Sequence, residues 1–147
     1  MNAVIRSAHA DDHRRVCDLL TSARLPLDGL PGDMAHFLVA EDAGRIVAAA
    51  GLEVYGGAAL LRSVVVAPSH RGTGMGGQLS DRALAMARDL GIHDVYLLTD
   101  TAEAFFHRRG FAVVSRADVP GSVQASVEFA TACPASATVM HRGVLPR

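Results

Sequence analysis

Residues 60–77 read LLRSVVVAPSHRGTGMGG, and a change of pattern inside that stretch decides the fold. Up to Val66 the run is apolar and β-branched, the composition of a centrally placed strand. Pro68 ends the strand, and Ser69–Gly77 is a loop rich in glycine. Gln78–Leu90 then carries Leu79, Ala83, Met86, Ala87 and Leu90 at helical spacing and stops at Gly91. A strand that runs through such a loop into a helix gathers backbone amides at the helix N-terminus, where an anion can sit. Glycines allow close approach to phosphate oxygens and positive φ. Arg71 adds a guanidinium matched to phosphate.

Upstream, Ala3–Arg6 reads as a first strand, and Asp11 or Asp12 caps a helix through about Ser22 with Val16, Leu19 and Leu20 on one face. Arg24–Asp33 holds two prolines and two glycines and reads as a loop. His36–Glu41, Ile46–Tyr55 and Ala58–Val66 are strands joined by short turns at Asp42–Gly44 and Gly56–Gly57, an antiparallel meander. Downstream come a buried strand at Val95–Thr99, a short helix at Ala102–Arg109 ended by Gly110, and a strand at Phe111–Ser115. The tail reads as a helix over Ser122–Ala130, a break at Cys133–Pro134 and a last strand at Ala137–His141. The expected class is mixed α/β of the α+β kind, one domain over residues 1–147.

The same loop matches Gly-x-Gly-x-x-Gly at Gly72, Gly74 and Gly77, with Asp100 after the next strand, so a nicotinamide-binding fold is the first rival. Its context is wrong. Ala67–Arg71, with a proline, separates strand from first glycine, and a meander precedes it instead of a doubly wound sheet. A P-loop fails because no Gly-Lys-Ser/Thr follows. All 14 basic residues are arginine, so no lysine is available for a Schiff base or a P-loop. Alanine and arginine usage fits a GC-rich bacterial genome.

Composition excludes further classes. The net charge of −1 and the absence of Trp, with two Tyr and five Phe, argue against a nucleic-acid surface. No apolar run is long enough for a membrane span, and the N-terminus has no signal-peptide pattern. Cys17 and Cys133 are too few for a disulfide framework, which makes a reducing cytoplasm the expected compartment. Both cysteines read as packing residues. The scattered histidines offer no metal site.

Val66-Ala67-Pro68 followed by Arg71-Gly72-Thr73-Gly74-Met75-Gly76 resembles the acetyl-CoA loop of the GCN5-related N-acetyltransferases (GNAT). Phe105-Phe106-His107-Arg108-Arg109-Gly110-Phe111 resembles that family's next motif, an aromatic pair, three residues, then Gly-Phe. The resemblance implies a mostly antiparallel sheet with flanking helices and a splayed central strand pair, acetyl-CoA as co-substrate, a small-molecule amine as acceptor, and a homodimer as the assembly. It also implies main-chain contacts from Val64 and Val66 to pantetheine and an amide of Val64 or Val65 on the thioester carbonyl. The pyrophosphate would lie on the amides of Arg71, Gly72, Thr73, Gly74, Met75 and Gly76. A narrower similarity, over Phe37–Glu41, Gly51–Arg62, Leu97–Phe106 and Glu128–Ala137, is to acetyltransferases found beside arsenic-resistance genes.

For the amine proton the residue to test is Glu53, the one acid in the apolar strand Ile46–Val54, on the face opposite Leu52 and Val54. Tyr55 shares its side and is expected to hold substrate. Arg62 is read either as a site for a substrate carboxylate or oxyacid, or as the ion-pair partner of Glu53. Asp28, in the loop Leu25–Asp33, is the remaining substrate-side candidate. The chain departs from the family pattern where a tyrosine acid often stands: here it is Phe106. Thr99 stands near the place of a CoA-contacting asparagine. Without an acid, a non-catalytic acyl-CoA sensor is the alternative function.

Overall fold

A computed structural model of the chain describes residues 3–126, 129 and 136–146. The chain opens with β1 (Val4–Ser7) and α1 (His13–Ser22). A meander of β2 (Phe37–Asp42), β3 (Arg45–Tyr55) and β4 (Ala58–Val66) follows. Then come α2 (Met75–Asp89), β5 (Asp94–Thr99), α3 (Glu103–His107), β6 (Ala112–Val113), α4 (Gly121–Gln124) and β7 (Thr138–Gly143). The strands form one sheet in the order β1-β2-β3-β4-β5-β7-β6. Every neighbouring pair is antiparallel except β4–β5. The β-branched strand β4 is therefore the middle one, as its composition implied.

Alternation along the strands sorts the side chains into two layers. Leu38, Ala48, Ala50, Leu52 and Leu61 face α2, whose Leu79, Ala83, Leu84 and Ala87 are buried against them together with Phe106 and Phe111. Val39, Ala49 and Val65 face the other way, under Val16 and Leu20 of α1. A fully buried leucine contributes roughly 1.5–3 kcal/mol relative to an exposed one, so the leucine stripe of α2 fixes that helix on the sheet. Phe37 lies flat over Gly51, where a Cβ would stand 2.4 Å from its ring atoms. Only glycine permits that approach. At the first corner Asp12 accepts from both Arg6 nitrogens, at 2.8 and 3.0 Å, from Arg15 at 2.7 Å and from the His9 amide at 2.7 Å. The Arg6 hydrogen bonds hold this buried carboxyl well below the usual carboxylate range.

Several boundaries differ from the expected ones. α2 starts at Met75 rather than Gln78, because Gly74 takes φ +82° as its cap and the next two glycines wind into the first turn. β6 is only two residues long, an edge strand on β7. Of the expected tail helix, α4 covers Ser122–Gln124, Ala125 and Ser126 depart from it with Ser126 bonding Glu53, and Phe129 is again in helical backbone. The rest of that expected helix, at 127, 128 and 130, and the Cys133–Pro134 break lie outside the described residues. β7 enters between β5 and β6, an insertion that no local pattern announces.

Candidate active site

β4 and β5 pair only from Ala58–Asp94 to Leu60–Tyr96. Past that point they separate, and the cause is an irregularity in β4. Against β3 the register passes from Gly51↔Arg62 to Ala49↔Val65, so three steps of β4 oppose two of β3. The extra residue is taken up at Ser63, whose φ is +59°. A non-glycine residue there costs roughly 1–2 kcal/mol, and such bulges bend a strand and re-aim its side chains. Arg62 and Val65 consequently share one face, while Val64 and Val66 pack toward the α2 layer.

The gap so opened is a cavity of about 630 Å³, walled by Arg62–Val66 on one side and Leu97–Ala102 on the other, with Phe105 and Phe106 of α3 beneath. A second hollow of about 300 Å³ lies at the glycine loop, against Arg71, Gly72, Gly74, Met75 and Gly76. The two adjoin at Val66, Gly76 and Phe105, which line both, and together make a two-part channel. In α2 the first helical amide bond is that of Gln78 to the Gly74 carbonyl, which leaves the Met75–Gly77 amides with no carbonyl inside the helix. All three residues line the hollow at the glycine loop.

The sequence-predicted residues fall into three groups. Val64, Val65, Val66, Thr99, Phe106 and Arg62 line the larger cavity. Arg71, Gly72, Gly74, Met75 and Gly76 line the smaller. Thr73 lines neither; its hydroxyl donates to the His70 carbonyl at 2.6 Å and closes the loop. Thr99 accepts from the Ala102 amide at 3.0 Å and starts α3. Phe106 is buried edge-on between Phe105 and Phe111.

Glu53, Tyr55 and Asp28 do not line the channel; they stand behind Arg62. The Arg62 Nη1 donates to Glu53 Oε2 at 2.6 Å and to the Asp28 carbonyl at 2.7 Å, and Nη2 donates to the Pro26 carbonyl at 3.4 Å. Its Nε donates to Ser63 Oγ at 3.0 Å. Glu53 Oε1 accepts from the Tyr55 hydroxyl at 2.5 Å and from Ser126 at 2.6 Å. Arg62 therefore pairs with Glu53, one of its two expected roles. Asp28 contributes its carbonyl here, not its carboxylate. Burial and, after it, the Glu53 hydrogen bond push the Tyr55 hydroxyl up, so it stays protonated as a donor.

Other proton sources stand elsewhere. Tyr96 is buried between Leu60 and His141 in the layer under α4. Cys17 lies on α1, 3.7 Å from the His13 ring, and burial followed by Asp18 pushes its thiol up, which suits packing. Cys133 lies outside the described residues. His9 and His13 are four apart, but His9 is in extended backbone before the helix; among the described residues no three metal-ligating side chains gather. The residues that sequence reasoning missed are Ser63, Arg24 and Ser126. No local signal marks any of them.

A family model described as "Acetyltransferase (GNAT) domain" matches residues 33–113, more than half of the chain. The chain belongs to the GNAT acetyltransferase family. Over 93 residues it is 36% identical to an amino-acid acetyltransferase of Ralstonia nicotianae, a match that covers 62% of this chain and 21% of that protein. It is also 36% identical over 81 residues to an amino-acid acetyltransferase of Mycobacterium tuberculosis, covering 54% of this chain and 46% of that protein. The chain thus spans less than half the length of these curated relatives. Among solved structures, N-acetylglutamate synthase of Neisseria gonorrhoeae, complexed with coenzyme A and N-acetyl-glutamate, superposes with TM-score 0.83 at 19% identity, over 99% of this chain and 36% of that one. Rv2747 of M. tuberculosis, in complex with CoA and NLQ, superposes with TM-score 0.82 at 26% identity, over 97% and 99%. The GNAT fold expected from the two motifs is the observed one.

Proposed function

We propose that this chain is an acetyl-CoA-dependent N-acetyltransferase that modifies the amine of a small, amino-acid-like molecule. The observation that carries the reading is the channel that two adjoining hollows make from the glycine loop to the splayed β4–β5 pair. It has an anion-binding end, an apolar middle and a polar far end. The relatives' names, amino-acid acetyltransferase, support the acceptor class.

Acetyl-CoA, when bound, supplies the thioester. Amides of Arg71–Gly76 and the Arg71 guanidinium hold its pyrophosphate. Val64 and Val66 offer main-chain groups to the pantetheine arm beside Phe105 and Phe106. An amide of Val64 or Val65 donates to the thioester oxygen as negative charge develops there. The amine nitrogen bonds to the carbonyl carbon, the C–S bond breaks, one proton leaves the nitrogen and one reaches sulfur. Phe106 has no proton to give, so water protonates the sulfur. Glu53 is the expected base, yet three donors already occupy it and its proton uptake would break the Arg62 pair. We assign it instead to positioning: through Arg62 it ties Pro26 and Asp28 to the sheet, and water carries the amine proton away. The similarity to acetyltransferases beside arsenic-resistance genes makes arsenic- and phosphorus-containing amino-acid analogues the first acceptors to try. We place the reaction in the cytoplasm, with a homodimer as the expected assembly. Among the described residues no helix is long and apolar enough to cross a membrane.

The test is a CoA-release screen of the purified chain with acetyl-CoA against amino acids and these analogues. Release that depends on an amine supports the reading. Tight acetyl-CoA binding with no amine-dependent release identifies a sensor instead.

A further inference from the structure

Resting on that reading, we infer that Arg24 recognises a carboxylate or related oxyanion of the acceptor and so restricts the enzyme to amino-acid-like amines. Arg24 stands on the wall of the larger cavity beside Leu25 and Pro26, next to Arg62 and Ser63. Two arginines are among the residues that line that cavity. The Arg62 guanidinium is spent on Glu53, Ser63 and two loop carbonyls. Arg24 is exposed and its side chain makes no hydrogen bond or ion pair with a described residue. A cation facing a partly enclosed, mainly apolar space attracts an anion more strongly than one facing bulk water, and a guanidinium matches a planar carboxylate in two-point geometry.

The backbone at Arg24 gives the second observation. α1 ends at Ser22 with Ala23 as its cap; the Arg24 amide donates to the Thr21 carbonyl at 3.1 Å, and the Leu25 amide to the Leu20 carbonyl at 2.9 Å. Leu25 packs in the same cluster as Leu20. This is the helix stop whose left-handed residue is usually glycine. Arg24 has φ +60°, so this position carries a side chain where backbone sterics favour none. The stop needs only the conformation; the guanidinium adds nothing to it.

This separation of roles makes the test decisive. Arg24→Gly should keep or raise the melting temperature and leave acetyl-CoA affinity unchanged. It should raise KM for the amino-acid acceptor about tenfold or more, the usual worth of a charge-assisted contact, with kcat changed less. Arg24→Lys should recover part of the loss. Against the carboxamide of the same amino acid, the wild type should be poor and Arg24→Gly no worse. An unchanged KM for the amino acid overturns the inference, as does an equal loss with the carboxamide. Equal wild-type use of acid and carboxamide overturns it while leaving the acetyltransferase intact. Acetyl-CoA binding without transfer to any amine overturns the enzyme reading and this inference with it.

Discussion

The two ends of the channel are built in opposite ways. The end proposed to hold the pyrophosphate is one contiguous segment, Arg71–Gly77, and what it offers is mostly backbone. Its geometry depends on glycine at +78° and +82° and on the first turn of α2. The end proposed for the acceptor is lined by Arg24–Pro26 and Arg62–Ser63 and held from behind by Asp28, Glu53, Tyr55 and Ser126, with the Ser126–Glu53 bond spanning 73 residues. What it offers is side chains. A backbone device tolerates little change of conformation, whereas a side-chain cluster depends on every partner being present.

The largest effect is expected where that dependence is strongest. Arg62→Met leaves Glu53 with its chief partner gone, and breaking a buried pair from one side costs about 3–5 kcal/mol. Urea unfolding reads it, and Arg62→Met with Glu53→Leu should return much of the loss. A single variant as stable as wild type would mean that the cluster is not load-sharing. Next, acetyl-CoA at about 100 times its dissociation constant should add about 2.7 kcal/mol, seen as a rise in melting temperature that NAD does not produce. A larger rise with NAD would reverse the choice between the two readings of the glycine loop.

Outside both ends, Asp12 is a control. Its carboxyl sits below the ordinary range because Arg6 bonds it, so its stabilisation is full above about pH 4–5 and fades as pH falls through and below that range. Asp12→Asn should lose about 2 kcal/mol at pH 7, with the gap to wild type closing in acid. A gap that persists unchanged at pH 2–3 would refute the charge argument. At the loop end, Gly74→Val meets no protein atom within 4 Å of its Cβ but must adopt φ +82°, and its side chain enters the hollow proposed for the pyrophosphate. Acetyl-CoA affinity should fall about tenfold by calorimetry, with a folded protein. Smallest in its effect on catalysis, though it too removes one charge of the buried pair and so lowers stability, is Glu53→Gln: a several-fold rise in acceptor KM with the pH profile of kcat retained. A kcat loss of ~10²–10⁴ with the acidic limb abolished would instead make Glu53 the base.

Sequence legibility follows the same division. The channel's loop end could be read because its parts are neighbours: Pro68 stops the strand, Gly72 and Gly74 permit positive φ, and Leu79, Ala83, Ala87 and Leu90 keep helical spacing. Strand β4 was readable to the residue, since a β-branched run between Gly57 and Pro68 has sharp edges. The start of α2 was misplaced by three residues because Met75-Gly76-Gly77 has poor intrinsic propensity; burial of Met75 and the packing of Arg109 over Gly77 decide it. Glu53 stood out as an isolated acid, but its alternation could place it only on a face, not among three donors.

By itself, then, the sequence determined the fold family, the glycine loop and the strand that feeds it, because each rests on interactions between residues close along the chain. Tertiary structure alone decided where β4 and β5 part, which cavity arginine has no partner among the described residues and what Glu53 touches. Those outcomes hang on one left-handed residue, Ser63, and on contacts between segments tens of residues apart. A one-residue bulge reverses the facing of every side chain after it, and no local pattern of apolar and polar residues records that it is there.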